Sequence, residues 1–180
     1  MIVPAEVVEY DPRWPLWFAE IRAQLAPYLA ELPHRVEHVG STAVPGLAAK
    51  PIIDVDIVVP SADLVPAAIA HLTRAGYLHE GDHGIAGREA FALPPRTVHY
   101  HHLYVVVDGN KACRDHLLLR DRLRTNADDR ERYATRKYEL AHLLTTNRNA
   151  YVDGKSALVE ELLARAGGSP KDGASGRTGA

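Results

Sequence analysis

A chain of 180 residues with 21 Lys and Arg against 23 Asp and Glu, net charge −2, lacks the basic surplus of a dedicated nucleic-acid binder. It is long enough for one domain with its own core. Cys113 is the sole cysteine, so no intrachain disulfide can form, which suits a reducing cytoplasm. Glu6, Glu9, Asp11 and Arg13 precede any apolar run, so neither a signal peptide nor a membrane span is expected.

In chain order, residues 7–10 read as a short strand or extended arm stopped by Asp11-Pro12. A helix is expected from Pro15, with Leu16, Ala19, Glu20, Ala23 and Ala26 forming a partial apolar stripe. Residues 36–39 are β-branched enough for a strand that runs into Gly40. Residues 52–59 alternate as a second strand. Ser61 or Asp63 is suited to cap a helix reaching Ala75 and ended by Gly76. Residues 77–80 read as a strand, 81–88 as a glycine-rich loop, and 98–107 as the second strong strand. Helices are expected over 112–124, 127–146 and 154–166, then a small-residue tail, 167–180, disordered by composition. Strands alternating with helices, followed by helices alone, give an α/β or α+β fold, with one domain over residues 1–166.

The most informative stretch is 38–59, His-Val-Gly-Ser-Thr-Ala-Val-Pro-Gly-Leu-Ala-Ala-Lys-Pro-Ile-Ile-Asp-Val-Asp-Ile-Val-Val. A period of two places Asp54 and Asp56 on one strand face and Ile53, Val55 and Ile57 on the other. Two carboxylates side by side on an apolar strand repel each other and resist desolvation. A divalent cation relieves both, and Mg²⁺ favours a carboxylate pair together with phosphate oxygens, with Mn²⁺ suited to the same donors.

A Gly-Ser turn followed by Asp-hydrophobic-Asp resembles the signature of the nucleotidyltransferase (polymerase-beta-like) superfamily, and the full string from His38 to Asp56 resembles the GrpB family. The resemblance runs from Tyr10-Asp11-Pro12 to the helix ending near Ala166. It implies a small mixed sheet with C-terminal helices packed on it, with Gly40 and Ser41 holding a nucleoside triphosphate and Asp54 and Asp56 holding metal. Relatives of that family are also found fused to dephospho-CoA kinase. Superfamily enzymes commonly carry a third carboxylate on a neighbouring strand. Here the second strong strand has His102 and Tyr104 on its polar face and its only acid, Asp108, at the end.

If the two strands lie side by side, as the resemblance implies, His102 stands beside the aspartates as ligand, general base or plain sheet histidine. The spacing of His79, His83, His99, His101 and His102 does not match a zinc pattern. Loop 81–88 resembles the family's Gly-Glu-x-Gly-Ile-Pro-Gly-Arg, with Asp82 for Glu and Ala86 for Pro; it is read as a phosphate contact through its amides and Arg88, against a bare surface hairpin. Lys137 falls on an apolar stripe with Tyr133, Leu140, Ala141 and Leu144, and faces phosphate on the family pattern. Lys155 sits at the start of the last predicted helix and is read as snorkelling.

Segment 114–124 matches an Arg-Asp-x-Leu pattern. Its apolar line of Ala112, His116, Leu119 and Leu123 sets Arg120 beside the buried face, as a triphosphate clamp or as the partner of an acid. Lys50 either offsets the aspartates or steers phosphate. Together these features point to a Mg²⁺-dependent nucleotide-binding protein that transfers a nucleotidyl group from a nucleoside triphosphate to an acceptor. The alternative is a catalytically silent ligand-binding or interaction module tied to coenzyme A metabolism. A nucleic-acid partner is disfavoured because the arginines of 114–136 alternate with acids and no aromatic stacking platform accompanies them. Nothing in the sequence selects an oligomeric state.

Overall fold

Two strands lie at the centre, β2 (Ile53–Val59) and β5 (His101–Val107), paired in parallel. Their Val and Ile residues suit the centre of a sheet, where nearly all of them are buried, while Asp54, His102 and Tyr104 are only partly covered. The computed structural model describes residues 5–167, so the expected tail lies outside the described residues apart from Gly167. Outside the central pair lie β1 (Arg35–Val39), antiparallel to β2, then β4 (Arg88–Ala92), antiparallel to β5, and β3 (Leu78–Gly81) at the far edge. The order β1-β2-β5-β4-β3 makes a five-stranded mixed sheet, as the resemblance implied.

One face of the sheet carries the main core. Ile53, Val55, Ile57 and Val59 of β2 and Leu103 and Val105 of β5 pack against α1 (Trp14–Leu29) and α2 (Val65–Arg74). The even-numbered residues turn the other way, so Val58 and Val106 meet Ala112 and Cys113 of α3 (Lys111–Thr125). Asp54 and Asp56 share that second face by strand periodicity. Here α3, α4 (Ala127–Leu140) and α5 (Arg148–Arg165) close over the sheet and bury Val44 and Leu47 of the β1–β2 connection among Leu123, Tyr133 and Leu162. The buried Asp129 joins the three helices: its Oδ2 takes Arg122 Nε at 2.6 Å and its Oδ1 meets Arg132 and Arg165 at 3.4 and 3.3 Å. No helix among the described residues is long and apolar enough to cross a membrane.

Three sequence expectations need correction. The buried face of α1 is Trp14, Ile21, Leu25 and Leu29, while Leu16 is 61% exposed; the apolar stripe runs on the i, i+4 series from Ile21, not from Leu16. Neither Ser61 nor Asp63 caps a helix, because residues Ala62–Leu64 form a 3-10 turn and Pro66 opens α2. The helix predicted over 127–146 stops at Leu140 in a 3-10 turn, Ala141–Leu144, and α5 starts six residues earlier than read, capped by Asn147, whose side chain accepts from Ala150 N at 3.1 Å. Gly154 therefore lies inside α5. A Cβ there would stand 2.8 and 2.9 Å from the Leu140 methyls, so glycine permits close packing of α5 on α4.

Candidate nucleotide site

The site begins where β1 ends. Val39 pairs with Asp54, so Gly40 and Ser41 leave the sheet beside the Asp54 side chain. Gly40 has φ +70° and ψ −169°, a region that only glycine occupies readily. A Cβ at Gly40 would overlap Asp54 Oδ2 and lie 2.8 Å from its Cγ. Backbone and space thus both demand glycine here. The turn is pinned from behind: His38 Nε2 lies 3.0 Å from Thr42 Oγ1, which donates to the Ile52 carbonyl at 3.1 Å. His38 also stacks on Phe18, and burial pulls its pKa down to about 4.

The parallel register sets His102 opposite Asp54 and Tyr104 opposite Asp56. His102 Nδ1 is 2.8 Å from Asp54 Oδ1. From α3, His116 Nδ1 is 2.7 Å from Asp56 Oδ2. Each carboxylate therefore has one oxygen held by a histidine. Burial alone would raise Asp54, but the hydrogen bond and charge of His102, with His116 and Lys50, outweigh it and hold the group below the ordinary carboxylate range. For His116, burial pulls downward, yet Asp56 and Asp54 win and its pKa is raised. Asp56 is fully buried, and its Oδ1 has no hydrogen-bond partner. Among the described residues no cage of three or more His, Cys, Asp or Glu side chains forms. Two carboxylates with an oxygen left over are half of the hard-oxygen set that Mg²⁺ takes when phosphate supplies the rest, so the residues fit that cation.

A cavity of about 610 Å³ opens on this edge of the sheet, and its lining divides by charge. Gly40, Ser41, Asp54 and His102 contribute one part; Lys50, Lys137, Arg148 and Lys155 contribute another, set around Tyr133 and Tyr151. Lys137 Nζ lies 4.8 Å from the Tyr133 ring centre, and Lys50 and Lys155 lie 5.5 and 4.4 Å from that of Tyr151. Lys137 is 1% exposed and donates to the Ala48 carbonyl. Among the described residues none of these three lysines has a carboxylate within ion-pair distance. Burial and the charge of Lys155 push Lys137 well below its ordinary value, and burial and Lys50 bring Lys155 to about 8. The amino groups of this half of the cavity are thus gathered without acid partners, and burial disfavours their charged forms.

The sequence-derived residues separate on inspection. Gly40, Ser41, Asp54, His102 and Lys137 line the cavity, and Asp56 lies just behind it. Arg88 opens β4, with its guanidinium 4.5 Å from the Tyr104 ring centre and its buried Nε without a hydrogen-bond partner; it does not line the cavity. Arg120 takes the acid-pairing alternative, bonded to Glu37 Oε2 at 2.8 Å and the His38 carbonyl at 3.2 Å as well as to Asp121, and does not line the cavity. Asp108 pairs with Arg35 at 2.7 Å and so stays away from Asp54 and Asp56. The other histidines of the candidate zinc group have separate partners: Glu89 for His79, Glu80 for His83, Glu20 for His99 and Tyr77 for His101.

Sequence reasoning missed His116, Arg148 and Tyr151, and it placed Lys155 at a helix start when it lies two turns into α5. The signal for His116 was a lone histidine within an apolar helical line.

A family model described as GrpB protein matches residues 4–165. A UPF0157 protein of Pseudomonas aeruginosa is 40% identical over 167 residues, covering 89% of this chain and 67% of that protein. The crystal structure of the conserved protein GrpB from Enterococcus faecalis superposes with a TM-score of 0.77 at 34% identity, over 89% of this chain and 96% of that one. A dephospho-CoA kinase of Mycolicibacterium paratuberculosis is 29% identical over 190 residues, and this chain spans 46% of its length. The Cid1 poly(U) polymerase, in a structure bound to MgATP, superposes with a TM-score of 0.50 at 12% identity, over 73% of this chain and 45% of that one, a likeness of fold.

Proposed function

We propose that this chain, which belongs to the GrpB family, is a Mg²⁺-dependent nucleotide-binding protein that transfers a nucleotidyl group from a nucleoside triphosphate to an acceptor. The observation that carries the reading is one cavity joining the Gly40-Ser41 turn and Asp54 to three lysines without acid partners. Gly40 and Ser41 bind phosphate oxygens, and Lys50, Lys137 and Lys155 neutralise the polyphosphate. Asp54 and Asp56 hold the cation, each oriented by its histidine. Mg²⁺, when bound, lowers the charge barrier to attack on the α-phosphorus. The acceptor proton leaves through Asp54 or His102, the two groups of that constellation that border the cavity.

The test is calorimetry with the four nucleoside triphosphates, with and without Mg²⁺, on wild type and on the Asp54→Asn/Asp56→Asn double variant. Cation-dependent binding that disappears in the double variant supports the reading. Equal binding by both proteins, or none by wild type, overturns it. A second reading, a silent binding module, is favoured by His102 and Tyr104 at the mid-strand positions where the superfamily pattern has an acid, and by Asp108 being committed to Arg35. It expects nucleotide or coenzyme A binding with no release of pyrophosphate on any acceptor.

A further inference from the structure

One face of α5 runs past two cavities. Arg148, Tyr151, Val152 and Lys155 line the first; Val152, Lys155, Ser156, Val159 and Leu163 line a second of about 530 Å³. Steps of three and four residues belong to a single helical stripe, so the cavities are successive lengths of one face and meet at Val152 and Lys155. The second is walled by apolar side chains, Val159 and Leu163 with Val152 and with Ile85 from the β3–β4 loop. Ile85 and Val152 stand 42% and 50% exposed, apolar surface of the kind a ligand covers. His116 also lines this cavity while its Nδ1 holds Asp56. One side chain therefore touches both the second cavity and Asp56 of the acidic pair.

Resting on the transfer reading above, we propose that the second cavity is the acceptor site, and that the acceptor is a small alcohol with an apolar body, its hydroxyl presented at the His116 end. The apolar wall takes the body. A nucleic-acid strand does not fit, because Lys111 at the edge is already paired with Asp115 and the wall offers a phosphate chain no run of cations. In the transfer, the acceptor oxygen bonds to the α-phosphorus and the bond from that phosphorus to the β-bridging oxygen breaks. Pyrophosphate departs with the electron pair, and the hydroxyl proton leaves through Asp54 or His102, as in the transfer reading, and from there to solvent.

The test uses benzyl alcohol as the probe in an amide NMR titration of the full chain, with Leu163→Trp to fill the cavity and the surface variant Ile85→Glu to charge its rim. Benzyl alcohol should shift the amides of 152–164 and 116 in wild type, with affinity weakened about tenfold or more in both variants, while Mg²⁺-nucleotide binding by calorimetry stays within about twofold. Apolar alcohols should also release pyrophosphate from bound nucleotide in wild type and much less in Ile85→Glu. Unmoved amides around the second cavity, equal alcohol binding in wild type and Ile85→Glu, or pyrophosphate release indifferent to Ile85→Glu would each overturn the acceptor assignment. Failure of the transfer reading shows separately, as absence of nucleotide binding by wild type in the calorimetry, and the acceptor role falls with it.

Discussion

Gly40→Ala tests the geometry of the turn. Alanine at φ +70° and ψ −169° carries about 1–3 kcal/mol of backbone strain. Its Cβ would also occupy the place of Asp54 Oδ2, so the carboxylate must swing away from His102 and lose a charge-assisted bond worth about 1.5–3 kcal/mol. With Asp54 only part-buried, the two contributions come to about 3 kcal/mol, a fall in Tm of roughly 6–12 °C for a domain of this size. Gly46→Ala is the control. Gly46 has φ +77° with nothing within 4 Å of an added Cβ, so it bears strain of about 1–2 kcal/mol without a collision. Thermal unfolding by circular dichroism measures both variants, and calorimetry with Mg²⁺ and nucleotide measures their binding. Gly40→Ala should unfold at the lower temperature and lose nucleotide binding, while Gly46→Ala binds as wild type. Equal Tm losses in the two variants, or wild-type nucleotide affinity in Gly40→Ala, would refute the claim that glycine is held there by the Asp54 carboxylate.

Burial pulls His38 and His101 to about 4, so the unfolded chain takes up more protons at these sites than the folded one. Their contribution is intact above the unfolded value near 6.5 and drains as pH falls toward 4, reaching about 2 kcal/mol for each near pH 5. His116, raised by Asp56, works in the opposite direction and returns part of it. Urea unfolding at pH 7 and pH 5 should show the drop, and His101→Phe should shrink the difference between the two pH values; an unchanged difference contradicts the burial cause. Lys137→Met removes a buried ammonium but leaves the Ala48 carbonyl without its donor, so stability should stay within about 1 kcal/mol of wild type. Nucleotide affinity in that variant should fall about tenfold or more, and wild-type affinity would remove Lys137 from the site. Asp129→Asn strands Arg122, Arg132 and Arg165. These arginines are partly in water, which places the loss at about 2 kcal/mol, below the range of fully buried pairs, and a Tm change under a degree would contradict the role of Asp129 as the joint of the three helices.

The acidic strand was legible because its signal is local: period two forces Asp54 and Asp56 onto one face whatever surrounds them. That the second strong strand lies beside it came through the family resemblance, and the register now sets His102 and Tyr104 opposite the two aspartates. The basic half of the cavity was harder to read because it depends on where α5 begins. A glycine at 154 reads as a break in a chain pattern, whereas in the fold it lets α5 cross Leu140 closely. With the helix extended back to Arg148, Tyr151 and Lys155 fall on one stripe into the cavity. Arg120 and His116 show the limit from another side. Both stand on the inner side of α3, but which acid each meets, Glu37 for one and Asp56 for the other, depends on sheet residues some sixty to eighty positions earlier.

The most direct single measurement is the paramagnetic broadening of amide NMR signals by Mn²⁺ with ATP, on wild type and on Asp54→Asn/Asp56→Asn. If phosphate and cation lie between the Gly40-Ser41 turn and the acidic pair, the amides of residues 40–42, 54–56 and 102–104 broaden first in wild type, and the effect is lost in the double variant. Broadening centred elsewhere on the chain, or the same broadening without the two carboxylates, would contradict a nucleotide site at this edge of the sheet.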